Sequence, residues 1–253
     1  MFDPATELNT QLTSFDEFDA NNLRFSPVVN DSSAGMKSKR IRYAIVNADN
    51  TIGDVIFEHN KLFAFGVQAN IDKQTQKLSG YSVPMCLWNK NGPSASEKRF
   101  VEINDEIVER TKQHMLANKK EIGEKKLDIA DLREISPLWY KTDDEGEIVP
   151  GRGPMLYAKL IYSKKNDKIL TAFRDTYGNR INPLDLVDKY IHIIPAIRYE
   201  SVYIGAKIKI QVKIYEAIVK LADSGFKSLL RGHIEEDADD DGTGSERSGG
   251  SFQ

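Results

Sequence analysis

The sequence predicts a mainly β fold of the α+β class, and three features of its patterning support this. Short runs rich in Val, Ile, Phe and Tyr, separated by Asn, Asp and Gly, are typical of strands. The stretch around Phe100 has instead the three-to-four spacing of an amphipathic helix. Strand-like runs then resume and continue to Val219.

Composition narrows the class of protein. The 253-residue chain has room for one large domain or two small ones, and 40% of its residues are hydrophobic, as in globular proteins. No apolar run is long enough to cross a bilayer, and the start at 1–19, which has no Lys or Arg, is unlike a secretion signal. The single cysteine, Cys86, excludes an internal disulfide. We expect a protein that is neither secreted nor membrane-spanning.

Charge is distributed unevenly along the chain. The net charge is −3, but residues 1–19 carry −5 and residues 232–253 carry −6, which leaves +8 for residues 20–231. A basic body between acidic ends indicates a surface that binds a polyanion, with ends that mimic or repel that polyanion. The charge alone is equally compatible with acidic ends that only keep the protein soluble.

These shifts in composition divide the chain into three parts. Residues 1–21 form an acidic segment that is expected to be largely disordered, and residues 22–231 form the folded domain. Residues 232–253 are expected to form a disordered acidic tail.

The first half of the domain is expected to consist of strands. The strand candidates are 22–30, 36–46, 54–58, 61–69 and 79–88. Pro84 places the last of them at a sheet edge or a bulge, because proline has no N–H to donate to the ladder.

Residues 94–120 form the one long helix. Phe100, Ile103 and Ile107 recur at helical spacing and make the face that is expected to pack on the sheet. Ser94 followed by Glu97 is the pattern of a capping box. A second, short helix is expected over 127–134.

Strands return after the helix. The candidates are 138–141, 155–163, 169–174 and 190–219, with a hairpin turn at 163–168 and a helical turn that starts at Asn182-Pro183. In 207–218 the side chains alternate: Ile208, Ile210, Val212 and Ile214 are expected to face the core, and Lys207, Lys209, Gln211, Lys213 and Tyr215 to face outward. Strands, one helix and strands again are the order of an oligonucleotide/oligosaccharide-binding (OB) barrel with its helix between the third and fourth strands. Small β-barrels and α+β sandwiches give similar patterns.

The sequence gives no sign of a catalytic or metal site, and we predict no enzyme, no cofactor and no bound metal. The four histidines lie far apart and have no metal-type spacing. Cys86 lies in an apolar strand, where a small core residue is expected. The acidic stretch 143–147 lacks the later bidentate Glu of a calcium loop, so a solvated turn is favoured.

Binding to unpaired nucleic acid requires cations for the phosphates and flat side chains on which bases stack. Four groups in the sequence supply both: Lys37, Lys39, Arg40 and Arg42 before Tyr43; Trp139, Tyr140 and Lys141 with Arg152; Arg174 and Arg180 around Tyr177; and Lys207, Lys209, Lys213 and Tyr215 on one strand face. Trp139, Tyr140 and Tyr215 are the predicted stacking residues. Each group alone is typical of a solvated basic surface, but four of them on one β domain favour nucleic acid.

The acidic tail is predicted to be regulatory. Its candidate residues are Glu235, Glu236, Asp237, Asp239, Asp240, Asp241 and Phe252. A tethered polyanion competes with DNA at high effective concentration, and once displaced it is available to basic partners. The alternative is a sequence that only keeps the protein soluble.

Two stretches carry a family resemblance. YSVPMCLWNKNGPSASEKRF at 81–100 and VYIGAKIKIQVKIYEAIV at 202–219, with NPLDLVDKY from Asn182, resemble the single-stranded-DNA-binding proteins of nucleocytoplasmic large DNA viruses. That family is similar in plan to the podophage single-stranded-DNA-binding protein, and the resemblance covers residues 36–220. It implies an OB barrel with an acidic tail. In the phage relative the tail ends in an aromatic residue, whereas here Gln253 follows Phe252, so the resemblance does not extend to docking through a terminal aromatic.

The resemblance also implies a role in viral DNA replication, recombination or repair, in the host cytoplasm (virus factory) or nucleus. We therefore expect a protein that binds and protects single-stranded DNA without sequence preference, with replication proteins as candidate partners of the tail and a homo-oligomer left open. One alternative is a DNA-associated virion or assembly protein, which would bind duplex at least as well. Another is a nuclease-like or nucleotide-modifying enzyme.

Overall fold

The computed structural model describes residues 1–3, 5–31, 38–73, 75–88 and 91–222. The strands in these ranges are β1 (Leu23–Phe25), β2 (Val29–Asp31), β3 (Ser38–Val46), β4 (Ile52–Gly53), β5 (Val55–Glu58), β6 (Leu62–Ala64), β7 (Gln68–Ile71), β8 (Leu78–Cys86), β9 (Leu138–Trp139), β10 (Met155–Leu160), β11 (Tyr162–Ser163), β12 (Lys168–Ile169), β13 (Ala172–Arg174), β14 (Arg180–Ile181), β15 (Ile191–Ile204) and β16 (Ile208–Leu221). The helices are α1 (Ala95–Ala117) and α2 (Lys119–Ile122), with 3-10 turns at Ala20–Asn22, Ala130–Leu132 and Pro183–Leu186.

Five of the strands close into a barrel. β6, β8, β10, β16 and β15 pair in that order, and β15 pairs again with β6. The pairs are antiparallel except for β10 and β16, which run parallel. Numbered along the chain, the barrel strands therefore follow the circular order 1-2-3-5-4-1. This is the order of an OB barrel, so the structure is mainly β and OB-like, as the sequence predicted.

The barrel strands alternate between core and surface. In β10, Leu156, Ala158 and Leu160 are at most 3% exposed, while the residues between them face outward. The same alternation in the other four strands fills the barrel with aliphatic side chains. The outward positions are therefore set by the pleat of each strand and by the register between neighbours.

Helix α1 begins and packs as predicted. The Ser94 side chain accepts from the N–H of Glu97 (3.3 Å), and the Glu97 carboxylate accepts from the N–H of Ser94 (2.6 Å), which completes the capping box. Phe100, Ile103 and Ile107 are fully buried against the sheet.

Two buried tyrosines link α1 to the sheet. Tyr43 of β3 shares a hydrogen bond of 2.7 Å with Thr111, and Tyr199 of β15 donates to Asn104 over 3.1 Å. Burial raises the pKa of both phenols. Both hydroxyls therefore stay protonated and serve the packing of helix on sheet.

The position of α1 in the barrel order differs from the prediction. The helix lies between β8 and β10, the second and third barrel strands, and not between the third and fourth. The early strands β3 and β5 pair with β15 outside the ring, so they do not count as barrel strands. Strand order alone does not reveal which strands close the ring.

The two ends of the segment that carries α1 meet. The N–H of Leu87 donates to the carbonyl of Pro154 (3.1 Å).

Two predicted elements are interrupted. The run 61–69 forms β6 and β7 with a break at Gly66, whose φ is +73°. Over 127–134 the structure has only the 3-10 turn Ala130–Leu132 in place of a helix.

Pro84 lies inside β8, which has neighbours on both sides, and not at an edge. Its carbonyl accepts from Phe65, so its nitrogen faces the break between β6 and β7, where no ladder partner is lost.

The N-terminal segment, whose composition indicated disorder, packs on the sheet in the structure. Phe2, Leu8 and Phe18 are at most 9% exposed, and Asn9 bridges to Gly53. Isolated apolar residues in a polar segment are enough to anchor it when each finds a pocket.

The described residues contain no helix that is long and apolar enough to span a membrane.

Candidate nucleic-acid interface

A row of cations crosses the outer face of the barrel. Lys159 of β10 pairs with Ser82 of β8 on one side and with Lys213 of β16 on the other, and Lys213 pairs with Arg198 of β15. Strand neighbours in register lie about 5 Å apart, so three cationic side chains stand side by side. We call Lys159, Lys213 and Arg198 the cationic row.

The electrostatics of Lys159 reflect this crowding. Its side chain is exposed, yet its pKa is lowered, first by lost hydration and then by repulsion from Lys213 and Arg40. Lys164, in the turn of the β11–β12 hairpin, adds a weaker repulsion. The positive charges here exceed what the nearby carboxylate of Glu200 offsets. A bound anion would relieve that repulsion.

Two carboxylates form ion pairs with the other two cations of the row, Lys213 and Arg198. Both oxygens of Glu200 lie within 2.8 Å of the Lys213 ammonium, and Asp54 lies 3.1 Å from the Arg198 guanidinium. Asp54 is buried, and its pKa is raised by burial despite the attraction of Arg198. The two carboxylates thus orient Lys213 and Arg198 and offset part of their charge.

A second row on the same outer face is aromatic and apolar. Trp139 of β9 pairs with Met155 of β10, Met155 with Cys86 of β8, Cys86 with Phe63 of β6, and Phe63 with His192 of β15. Trp139 is 52% exposed and Phe63 is 37% exposed. We call these five residues the aromatic row.

Tyr157 lies between the two rows. It is the outward residue of β10 between Met155 and Lys159, pairs with Pro84, and is 49% exposed. Alternate residues of a strand are about 7 Å apart, so its ring lies within reach of the cationic row and of Trp139. The second and third strands of an OB barrel, here β8 and β10, are those whose face binds oligonucleotides in that fold. The arrangement offers flat rings next to fixed cations.

One family model matches residues 19–239, that of the family described as protein of unknown function (DUF2738). The chain belongs to this family. The described residues of this DUF2738 protein contain no group of three or more His, Cys, Asp or Glu side chains placed to hold a metal ion.

Two curated relatives are viral. The early 31 kDa protein of Frog virus 3 (isolate Goorha) is 27% identical over 171 residues, which are 66% of this chain and 64% of that protein. Uncharacterized protein 007R of Invertebrate iridescent virus 3 is 24% identical over 169 residues, 65% of this chain and 36% of that protein. The matches thus span less than two thirds of either relative. Their viral origin agrees with the viral family that the sequence resembles.

One solved structure with some likeness is that of gp2.5, a single-stranded DNA binding protein encoded by bacteriophage T7. It is 15% identical to the DUF2738 protein, with a TM-score of 0.39, over 77% of this chain and all of that one. The assignment of the OB-like barrel rests on the strand order and pairing given above.

The structure brings together several residues that the sequence singled out. Arg40 pairs with Tyr203 of β15, and Tyr203 pairs with Lys209 of β16, so a second basic line runs parallel to the cationic row. Arg42 lies on the same face of β3 as Arg40 and pairs with Ser201. Lys213 belongs to the cationic row itself.

Three other predicted cations form ion pairs with carboxylates. Lys39 faces the helix side, where its ammonium donates to the Ile122 carbonyl (2.8 Å) and pairs with Glu124 (2.8 Å), so it closes the end of α2. Lys207 and Lys209 lie 2.9 Å and 3.7 Å from Glu134 in exposed ion pairs.

The remaining predicted cations are exposed. Lys141 and Arg152 lie in loops beside β9 and β10. Arg174 pairs with Arg180 across the β13–β14 hairpin, which continues the sheet along β16 beyond the barrel. Both are thus placed away from the cationic row along β16.

The three predicted stacking residues differ in their exposure and in their place on the strands. Trp139 is exposed, but Tyr140 packs partly against the core, and burial followed by the charge of Asp105 raises the pKa of its phenol. Tyr140 is therefore a poor platform for a base. Tyr215 is the extra residue of a bulge: Ile214 pairs with Ile197 and Glu216 with Ala196. Beyond it the alternation inverts, so Ala217 and not Ile218 is buried.

Some predicted residues lie outside the described part of the chain. These are Lys37, Glu235, Glu236, Asp237, Asp239, Asp240, Asp241 and Phe252.

The sequence interpretation missed Lys159, Tyr157, Arg198 and Phe63. The alternation of MLYAKL at 155–160 carries a signal for the first two, since Tyr157 and Lys159 alternate with buried Leu and Ala. Their neighbours across the strands are set by register, which a single sequence does not show.

Proposed function

We propose that the domain binds single-stranded DNA, without strong sequence preference, along the outer face of β8, β10 and β16. The observation that carries this proposal is the position of Tyr157 between the cationic row and Trp139. The phosphates would lie on Lys159 and Lys213, and the bases would stack on the exposed rings.

The exposed rings favour an unpaired strand over a duplex. In a duplex the base faces are stacked on one another, so Tyr157 and Trp139 would have nothing to stack on. A cationic face alone would bind both forms through their phosphates. Preference for the single strand is therefore the property that the aromatic side chains should add.

The proposed biological role is protection of single-stranded DNA during viral replication, recombination or repair, without catalysis and inside the infected cell. The acidic segment beyond residue 231 is proposed to compete with DNA for the basic face and to contact partners. Viral relatives and the charge pattern of the chain support this role. A chain cut after Gly232 should then bind DNA more tightly than the full chain.

Fluorescence anisotropy with oligo-dT and a matched duplex over a salt series tests the proposal. The full chain should prefer oligo-dT, with a log–log salt slope of about −3 for four phosphate contacts at about 0.7 each. Lys159→Gln should reduce the slope by about 0.7, and Tyr157→Ala should weaken binding at every salt concentration.

Lys120→Gln is the matched control. Lys120 lies on α2, and α2 packs against Lys39, which is on the face of β3 opposite to Arg40. It should bind like the wild type. Absence of binding to oligo-dT would contradict the proposal. A preference for duplex would instead favour a DNA-associated virion or assembly protein.

A further inference from the structure

An exposed aromatic cluster lies at the end of the aromatic row opposite to Trp139. The Phe63 ring centroid is 5.3 Å from that of Phe65, 5.6 Å from that of Tyr190 and 6.1 Å from that of His192. Tyr190 is 61% exposed. Phe63, Phe65, Tyr190 and His192 form what we call the Phe63 cluster, in which the rings cover one another only in part.

Cations surround the Phe63 cluster. Lys61 directly precedes β6, two positions before Phe63, and Lys220 of β16 pairs with His192. Lys189 is the neighbour of Tyr190 in the chain. All three lysines are exposed. The Phe63 cluster lies on the outer face of the first and fourth barrel strands, β6 and β15. Its rings with cations at the rim have the same chemistry as the site around Tyr157.

The row between the two sites is continuous. From Trp139 to Phe63 it crosses three strand spacings, about 14 Å at about 4.8 Å each. Met155 and Cys86 lie between, and neither carries a charge. The charged side chains that act on Cys86 are Glu97 and Arg152, which have opposite signs, so a single strand bound at Tyr157 and Trp139 would meet no uncompensated charge there.

We propose that the Phe63 cluster is a second stacking platform, on which the bases of the same DNA strand continue after they leave Trp139. The inference rests on the proposed function and extends it, since it sets the path of the strand and a longer binding site. Lys61, Lys189 and Lys220 contact the phosphates at this end. The charge of the rim and the continuity with the first site favour a nucleic-acid strand over an apolar protein surface as the occupant.

Anisotropy with two lengths of oligo-dT tests this proposal. OB domains occupy about 4 to 16 nucleotides, so oligomers of about 6 and about 16 nucleotides separate the first site from the whole path. Phe63→Ala and Tyr190→Ala should each weaken binding of the long oligomer about tenfold and leave the short one within about twofold of the wild type. Tyr157→Ala should weaken both.

Ile129→Ala is the control, since Ile129 is apolar, 57% exposed and outside both rows. It should leave both affinities unchanged, and thermal melting should show that all variants are folded. Unchanged affinity of Phe63→Ala and Tyr190→Ala for the long oligomer would overturn the second platform. So would an equal loss for both lengths, or a changed oligomeric state in sedimentation with unchanged DNA binding. Failure of the wild type to bind either oligomer would instead overturn the proposed function.

Discussion

The ammonium of Lys213 lies 2.7 Å from the carboxylate of Glu200, and both side chains are about one-fifth exposed. Glu200 is the extra residue of a bulge in β15, between Tyr199 and Ser201. The bulge turns a carboxylate onto a face that otherwise presents lysine and arginine. Lys213 is thereby oriented, but part of its charge is offset.

Glu200→Gln should therefore strengthen binding to single-stranded DNA by about 3- to 10-fold. The change removes the carboxylate that offsets Lys213, so Lys213 should neutralise its phosphate more fully and the log–log salt slope should steepen by up to about 0.7. Anisotropy over a salt series measures both quantities. Glu145→Gln, in the exposed turn 143–147, is the control and should change neither. Weaker binding by Glu200→Gln would mean that the carboxylate is needed to position Lys213.

Gly66→Ala should destabilise the fold far more than Gly178→Ala. Both glycines have positive φ (73° and 87°), but a Cβ on Gly66 would clash with the carbonyl oxygens of Leu186 and Lys189, whereas Gly178 has open space. We expect about 1 kcal/mol for Gly178→Ala and more than about 2 kcal/mol for Gly66→Ala, by urea unfolding. Equal losses would contradict the close approach at Gly66.

The buried pair of Tyr43 and Thr111 should show a strong coupling. Thr111→Val leaves the Tyr43 hydroxyl buried without its partner, at a cost of about 1–3 kcal/mol. The double variant with Tyr43→Phe removes both polar groups and should recover part of that loss. Urea unfolding of the two single variants and the double variant measures the coupling. Additive losses would show that the hydrogen bond contributes little.

Stability should fall between about pH 6.5 and pH 4 in part because of His114. Burial, then the N-terminal amino group and Arg110, lower the pKa of His114 to about 4, and its ring stacks on Phe25 at 4.0 Å. The unfolded chain takes up a proton near pH 6.5, so the contribution is complete above that pH and is lost as the pH falls toward 4.

His114→Gln should accordingly flatten the dependence of the unfolding free energy on pH in this window. A residual slope should remain, because burial also lowers the pKa of His59. Urea unfolding at a series of pH values measures it. Identical pH profiles for the wild type and the variant would contradict the assignment.

Much of the local structure could be predicted from the sequence, because its determinants are local. The capping box at Ser94 and the face of Phe100, Ile103 and Ile107 depend only on spacing within one helix. The 3-10 turn after Asn182 likewise follows from its own residues.

What the sequence could not show depends on pairing. The extra residue Tyr215 leaves no trace in the alternation before it, so the inversion at Ala217 was missed. The site needs Lys159, Lys213 and Arg198 from three strands in one register. Lys39, predicted for the site, alternates onto the opposite face from Arg40, where it closes α2.

The two kinds of barrel contact should form at different times during folding. β15 and β16 are joined by only three residues, 205–207, so their long pairing closes at little entropic cost. β8 and β10 become neighbours only after the whole segment 87–154 has been brought back to the point where Leu87 meets Pro154. The β15–β16 hairpin is therefore the expected folding nucleus, and the face made by β8 and β10 should be among the last parts of the barrel to form. Chains refolding from the unfolded state would then expose their basic hairpin before the aromatic face exists, so early contacts with DNA would be electrostatic and independent of strandedness.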